Sequence, residues 1–321
     1  MQPAVRALRV APQGVFATIA HSLSGVLAAP GAIVVPILVD LFLWLGLRLS
    51  PAALTALLSD GVRQLETLDP DAVQRVTGRL GALSDLTPLI ALFAPSLLAG
   101  FAGDSLHRGW TRPAFASDSA TVVALLLLGL VVVSIGINAV FRVCLAGEIR
   151  VYPRSVRDFG RDIALAWGRY TAFLLMVIAA VVLAISALAA LVALMLVLGL
   201  NVGPLLILLV IPPLLLLTLL LAFVPDAIVL ERVGPLRAAL LSARVVRRNL
   251  MPSLGFFAVS ALTLSGLSLV LGSLLSNSVG VLTAIAAYGF VTTGLARAQL
   301  QFFFDRLPEG RLVGVMMPTP H

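Results

Sequence analysis

The chain is 321 residues long, 60% hydrophobic and only 12% charged, about half the charged share of a soluble domain. A soluble fold of this length could not hide so much apolar surface, so the composition excludes an ordinary water-soluble protein and makes lipid the solvent. The formal net charge is +7 and every one of the 22 basic residues is arginine; with no interleaved basic and aromatic surface, this charge reads as loops at a membrane face and not as a nucleic-acid site.

The first arginines, Arg6 and Arg9, precede an apolar run over residues 26–47. That run is too long for a signal-peptide core and no small-residue cleavage site follows it, so it reads as an uncleaved first span, with Pro30 and Pro36 as kinks. It holds Asp40, the one acid inside an apolar run, and a charge at that depth costs about 2.5–3.5 kcal/mol. The expected role is a carboxyl that bonds a neighbouring helix or is held near the outer interface by Trp44 and Arg48; the alternative is ion coupling. Residues 48–118 carry six arginines against seven acids. Two amphipathic stretches, 51–68 and 70–83, suggest a small extracytoplasmic helical cap. Residues 86–103 are charge-free but contain Pro88 and Pro95, which favours a re-entrant or interfacial segment over a crossing.

The second span is expected over 119–141, with Asn138 forming an interhelical hydrogen bond near its cytoplasmic end. Residues 170–225 are uncharged and hold two spans divided by the turn Asn201-Val202-Gly203-Pro204. Pro212 and Pro213 lie in the middle of the second of these; two missing amide donors predict a helix break there. Residues 249–296 are again uncharged and hold two spans divided near Ser276-Asn277-Ser278. The total is six spans in an all-α, polytopic helical bundle.

Two arginine helices lie between the spans. In the first, Arg150, Arg154, Arg157 and Arg161 share a face, Ser155 and Asp158 form a capping box with aspartate in place of glutamate, and Trp167 and Tyr170 mark the membrane interface. In the second, Gly234-Pro235 opens a helix carrying Arg237, Arg244 and Arg248, and Met251-Pro252 closes it. These helices are expected at the interface, where Arg154, Arg157, Arg161, Arg237, Arg244 and Arg248 would meet anionic lipid head groups or a membrane or cytoplasmic protein partner. Alternate loops carry arginine excess, which puts the N-terminus, both arginine helices and the C-terminus in the cytoplasm of a bacterial inner-membrane protein.

The two span–arginine-helix–span stretches lie 80 residues apart, with Arg157 falling on Arg237, and predict an internal parallel repeat. The expected organisation is an N-terminal segment with span 1 (1–47), the cap (48–118), repeat 1 (119–200), repeat 2 (201–275), and span 6 with a cytoplasmic tail (276–321).

The run Val224-Pro225-Asp226-Ala227-Ile228-Val229-Leu230-Glu231, then Gly234-Pro235-Leu236-Arg237-Ala238-Ala239-Leu240, then Ser242, Arg244 and Arg247-Arg248-Asn249 resembles a motif of the membrane domain fused to some bacterial glycerophosphodiester phosphodiesterases and of its free-standing relatives. The resemblance covers roughly residues 120–300. The first repeat departs from it, with Arg161 and Asp162 where the second has Leu241 and Ser242, and no phosphodiesterase catalytic domain accompanies it. The resemblance therefore implies a fold and a membrane location, not hydrolysis.

No catalytic constellation is present. Cys144 stands alone, and His21, His107 and His321 have no metal-ligand spacing, so neither metal nor cofactor is expected. The leading expectation is a non-enzymatic scaffold, regulator or assembly component of a membrane complex; the alternative is a transporter or permease component with an intramembrane site near Asp40 and Pro212-Pro213.

Overall fold

The computed structural model describes residues 14–28, 30–50, 85–101, 113–117, 119–149, 155–198 and 203–307. Both amphipathic stretches expected at 51–68 and 70–83 lie outside the described residues, as do Arg150, Arg154, His107 and His321. The described part is a helical bundle: α1 (Val15–Ala28), α2 (Val34–Leu45), α3 (Ala120–Ile149), α4 (Val156–Val197), α5 (Gly203–Leu221), α6 (Val224–Glu231), α7 (Pro235–Arg248), α8 (Leu250–Gly272) and α9 (Ser278–Asp305). Two three-residue strands, β1 (Arg48–Ser50) and β2 (Ala114–Ala116), pair in parallel and tie the two ends of the 48–118 region together.

Five helical stretches are long and apolar enough to cross a membrane: Ala120–Ile149, Val156–Ala193, Val210–Glu231, Leu250–Ser276 and Ser278–Asp305. This is a multi-pass membrane protein. The first apolar run, expected as one kinked span over 26–47, is bent more sharply than a kink. It is split into α1 and α2 by a 3-10 turn at Pro30–Ile33, and the two parts meet at a bend of more than 40°. Pro30 supplies the reason, because its ring and missing N–H cannot continue the helix of the preceding residues. Pro36 sits in the first turn of α2, where its missing N–H is tolerated.

Residues 86–103 do not form a crossing helix. The described part folds as two short 3-10 turns, Thr87–Ala91 and Leu98–Phe101, laid against α2 and α3. Leu97 and Leu98 are buried there with Val39 and Leu43 of α2 and Ile285 of α9. Asp85 and Thr87 fix the start of the segment: the Leu49 amide donates to the Thr87 hydroxyl oxygen at 3.1 Å, and that hydroxyl lies 3.1 Å from the Leu47 carbonyl oxygen, to which it donates.

The main core forms where α6, α8 and α9 converge. Phe223 stacks on Phe302 at 5.5 Å and on Phe303 at 5.8 Å, and Phe256 packs beside Phe302 at 5.1 Å. Each such ring adds roughly 0.5–1.5 kcal/mol beyond its buried area. Ser242 locks the corner between α5 and α6 from below: its hydroxyl donates to the Leu220 carbonyl at 2.6 Å and accepts the Phe223 amide at 3.1 Å. Two backbone groups left over at the helix break are thereby satisfied by one side chain.

α4, with 42 residues, is the longest element and the least enclosed. Its outer two-thirds present exposed Leu175, Ile178, Val182 and Leu183, as a lipid-facing surface would. It is anchored near its start, where the Trp167 indole donates to the Val132 carbonyl of α3 at 3.1 Å and the Tyr170 hydroxyl donates to the Pro225 carbonyl at 3.0 Å. Both residues bolt α4 to its neighbours.

Candidate functional site: a buried ion pair and an exposed arginine face

The second arginine helix opens at Pro235 as the sequence suggests, but the first begins only at Val156, so of its four expected arginines α4 carries Arg157 and Arg161, while Arg150 and Arg154 precede it outside the described residues. Ser155 caps α4: its hydroxyl accepts the Asp158 amide at 3.1 Å and donates to the Asp158 carboxylate at 2.7 Å, the capping box read from the sequence. From there the helix runs without a break from the arginine turn into the span, leaving Arg157 and Arg161 exposed. α7 is a separate helix with Pro235 in its first turn. It ends at Arg248, earlier than Met251-Pro252, because the Asn249 amide turns back to the Val245 and Val246 carbonyls and the Asn249 side chain donates to Val245 as well. Pro252 then falls in the first turn of α8, where it costs no hydrogen bond.

α7 has two faces. Ala238, Leu241, Ser242, Val245 and Val246 are buried against α5 and α6. Arg237, Arg244, Arg247 and Arg248 point away and are exposed, together with Leu236 and Leu240. None of these four arginines has an acidic partner among the described residues. Four cations flanked by two exposed leucines make a surface suited to an anionic, partly apolar environment.

Sequence reasoning missed a second set of enclosed charges, besides Asp40. Asp226 on α6 is fully buried. Its carboxylate accepts from the Arg142 guanidinium of α3 and, at 2.8 Å, from the Gln299 amide of α9. Gln299 also donates to the Ala222 carbonyl at 3.1 Å. With Tyr170 of α4 bonded to Pro225, four helices are joined around one helical turn. On the same two helices, Arg297 of α9 pairs with Glu148 of α3 at 3.0 Å. Gly25 of α1 lies directly against the Arg297 guanidinium, where a Cβ would come within 2.6 Å, so a larger side chain at this position would press on the pair. A third pair, Arg232 with Asp162 at 2.6 Å, joins α6 to α4 nearer the surface.

Asp226 and Arg142 each lie immediately outside a charge-free run, so counting charges assigns them to loops. The signal that could have exposed them is the composition around them: Asp226 is followed by Ala227-Ile228-Val229-Leu230, as apolar as the span before it.

The candidate residues inside the membrane take different places. Asp40 is fully buried, as its cost demands. Its partners are neither another span nor Trp44 and Arg48, but the segment folded against α2: the carboxylate accepts from the Ser96 hydroxyl, from the Leu97 amide at 3.0 Å and from the Leu98 amide at 3.1 Å. It thus caps the 3-10 turn at Leu98–Phe101. Asn138 makes no hydrogen bond to another helix among the described residues, although it is only 9% exposed. Pro212 and Pro213 do not break α5, which continues from Gly203 to Leu221, and both are exposed on its surface. The freed carbonyls expected to line a transport site therefore do not face the bundle interior. Among the described residues no three or more His, Cys, Asp or Glu side chains gather as a metal site would require.

No family model, no curated protein and no solved structure matches the chain.

Proposed function

We propose that this chain is a non-enzymatic integral protein of the bacterial inner membrane that serves as a scaffold, regulator or assembly component of a membrane complex. In this reading it crosses the membrane six times, counting α1 and α2 together as one bent span, with both termini and the arginine helices in the cytoplasm. The two span–arginine-helix–span stretches are copies of one parallel unit. The element bounds support the repeat: α3 and α4 begin at Ala120 and Val156, and α5 and α7 begin at Gly203 and Pro235, close to the 80-residue offset. The resemblance to the phosphodiesterase-associated membrane domain fits the same reading, with the arginine helices as docking elements.

The observation that carries the proposal is the exposed face of α7. α7 packs closely on one side and carries four exposed arginines on the other, with no acidic partner among the described residues. Each would gain roughly 1 kcal/mol beside an anionic surface. The transporter reading loses its footing at both expected residues, since Asp40 is enclosed by backbone amides and Pro212-Pro213 faces outward.

The test is to change Arg237, Arg244, Arg247 and Arg248 together to glutamine and compare the two proteins in chemically cross-linked native membranes by complex size. The wild-type chain is expected in an assembly larger than itself, and the glutamine variant is expected to run alone while remaining inserted. A wild-type chain that runs alone, or a variant that stays in the assembly, contradicts the proposal.

A further inference from the structure

We infer that the open cleft between α3, α8, α9 and the segment around Phe93 is a binding site for an uncharged amphiphile, a molecule dissolved in the membrane with a hydrogen-bond-accepting head on an apolar body. This inference does not rest on the arginine face of α7.

The cavity measures about 530 Å³, within the range of about 300–1,000 Å³ typical of small-molecule sites. One end is polar and is formed by Arg142 and Gln299, with Asn138 one turn along α3. Ser260 faces the cavity from α8, and one turn further along are Leu264 and, across the space, the rings and chains of the segment at Leu92 and Phe93. The polar groups are incompletely used. Four buried side-chain polar atoms lack a hydrogen-bond partner among the described residues: Ser22 Oγ, Arg142 Nε, Ser253 Oγ and Ser260 Oγ. Two of those residues, Arg142 and Ser260, line this cavity. Asn138 is nine-tenths buried, lines the same cavity and has no hydrogen bond within the described residues. An unmade hydrogen bond at a buried donor costs about 1–3 kcal/mol, so Arg142 and Ser260, with the Asn138 amide beside them, favour a ligand that offers them a partner.

Charge sets the class of that ligand. Asp226 already neutralises Arg142, so a charged head would enter a desolvated site without a counter-ion. Arg142 Nε–H can only donate, whereas the Ser260 hydroxyl and the Asn138 amide can donate or accept. A carbonyl or ester oxygen can accept from any one of them, and a hydroxyl can also donate to Ser260 or Asn138. Phe93, Phe257 and Leu264 would hold the apolar body.

The experiment uses the full chain in phosphatidylcholine vesicles with two photoactivatable probes, a diazirine-bearing diacylglycerol and a diazirine-bearing fatty acid whose head is a carboxylate. The diacylglycerol is expected to label peptides containing 138–142 and 257–264 and to be displaced by unlabelled diacylglycerol. Ala261→Trp, which fills the space, is expected to abolish this labelling. Ser260→Ala, which keeps the space and removes one hydrogen bond, should lower the apparent affinity about fivefold without lowering thermal stability, and so keeps the test decisive if the tryptophan variant fails to fold. Absent or non-displaceable labelling, labelling unchanged in Ser260→Ala, or stronger labelling by the fatty acid would each overturn the inference.

Discussion

Replacing Asp226 with alanine is expected to destabilise the bundle by about 3–5 kcal/mol, because it leaves the Arg142 guanidinium buried without its counter-charge. The arithmetic is set by burial. Asp226 is fully buried and the Arg142 side chain is 14% exposed, so water cannot replace the lost partner. The Gln299 amide loses an acceptor in the same step. Two further variants separate charge from shape. Asp226→Asn retains an acceptor but leaves the positive charge, so most of the loss should remain. Adding Arg142→Gln to Asp226→Asn removes both charges, and the double variant is expected to recover more than half of the stability lost by Asp226→Asn alone. Equilibrium unfolding of the detergent-solubilised protein measures all three. An Asp226→Ala variant within about 0.5 kcal/mol of wild type, the usual range for surface substitutions, would show that the pair does not join the helices as described.

At Asp40 the sign of the result follows from which oxygen each donor uses. Ser96 and the Leu98 amide donate to Oδ1, and the Leu97 amide donates to Oδ2. Asp40→Asn can keep the Oδ1 bonds but turns an amide nitrogen towards the Leu97 N–H, so it should cost roughly 1.5–3 kcal/mol, the value of one hydrogen bond to a charged group. Asp40→Leu leaves both amides and the hydroxyl unsatisfied and should cost more, with release of the 96–101 segment as the first event. Hydrogen exchange at Leu97 and Leu98 reads this directly: protection is expected to fall modestly in the asparagine variant and to be lost in the leucine variant. Unchanged protection in Asp40→Leu would contradict the capping role. The bonding makes the cost of asparagine local to this segment.

The spans were legible because hydropathy is a one-dimensional property. The charge-free runs at 119–141, 170–225 and 249–296 supply most of the apolar length of α3, α4, α5, α8 and α9, and Asn277, read as part of a turn, accepts the Gly280 amide at 2.7 Å to cap α9. The capping box at Ser155 and the start of α7 at Pro235 were legible for the same reason, since both depend on neighbours in sequence. What could not be read were the contacts across the bundle. Arg142 and Asp226 stand 84 residues apart, and Asp226 and Gln299 stand 73 apart; neither spacing carries a periodic signal. Counting any charge as the end of a span made both residues loops, although lipid excludes only charges that remain unpaired. Asp40 shows the converse. Its burial was evident from sequence, but its partners are backbone amides of an irregular segment, which no side-chain pattern announces. Two missing amide donors suggest a break at Pro212-Pro213, yet α5 accommodates both on its exposed side.

The proposed function depends on which side of the membrane the arginine helices occupy, and cysteine accessibility in intact cells tests this most directly. In a Cys144→Ser background, single cysteines are placed by Ser59→Cys, Ser155→Cys and Arg244→Cys and challenged with a membrane-impermeant maleimide before and after the membrane is opened. The account predicts labelling of the Ser59→Cys protein in intact cells, and labelling of the other two only after opening. If the cysteine at 155 or 244 reacts in intact cells, or if the one at 59 falls on their side, the arginine face lies outside the cytoplasm and the account is contradicted.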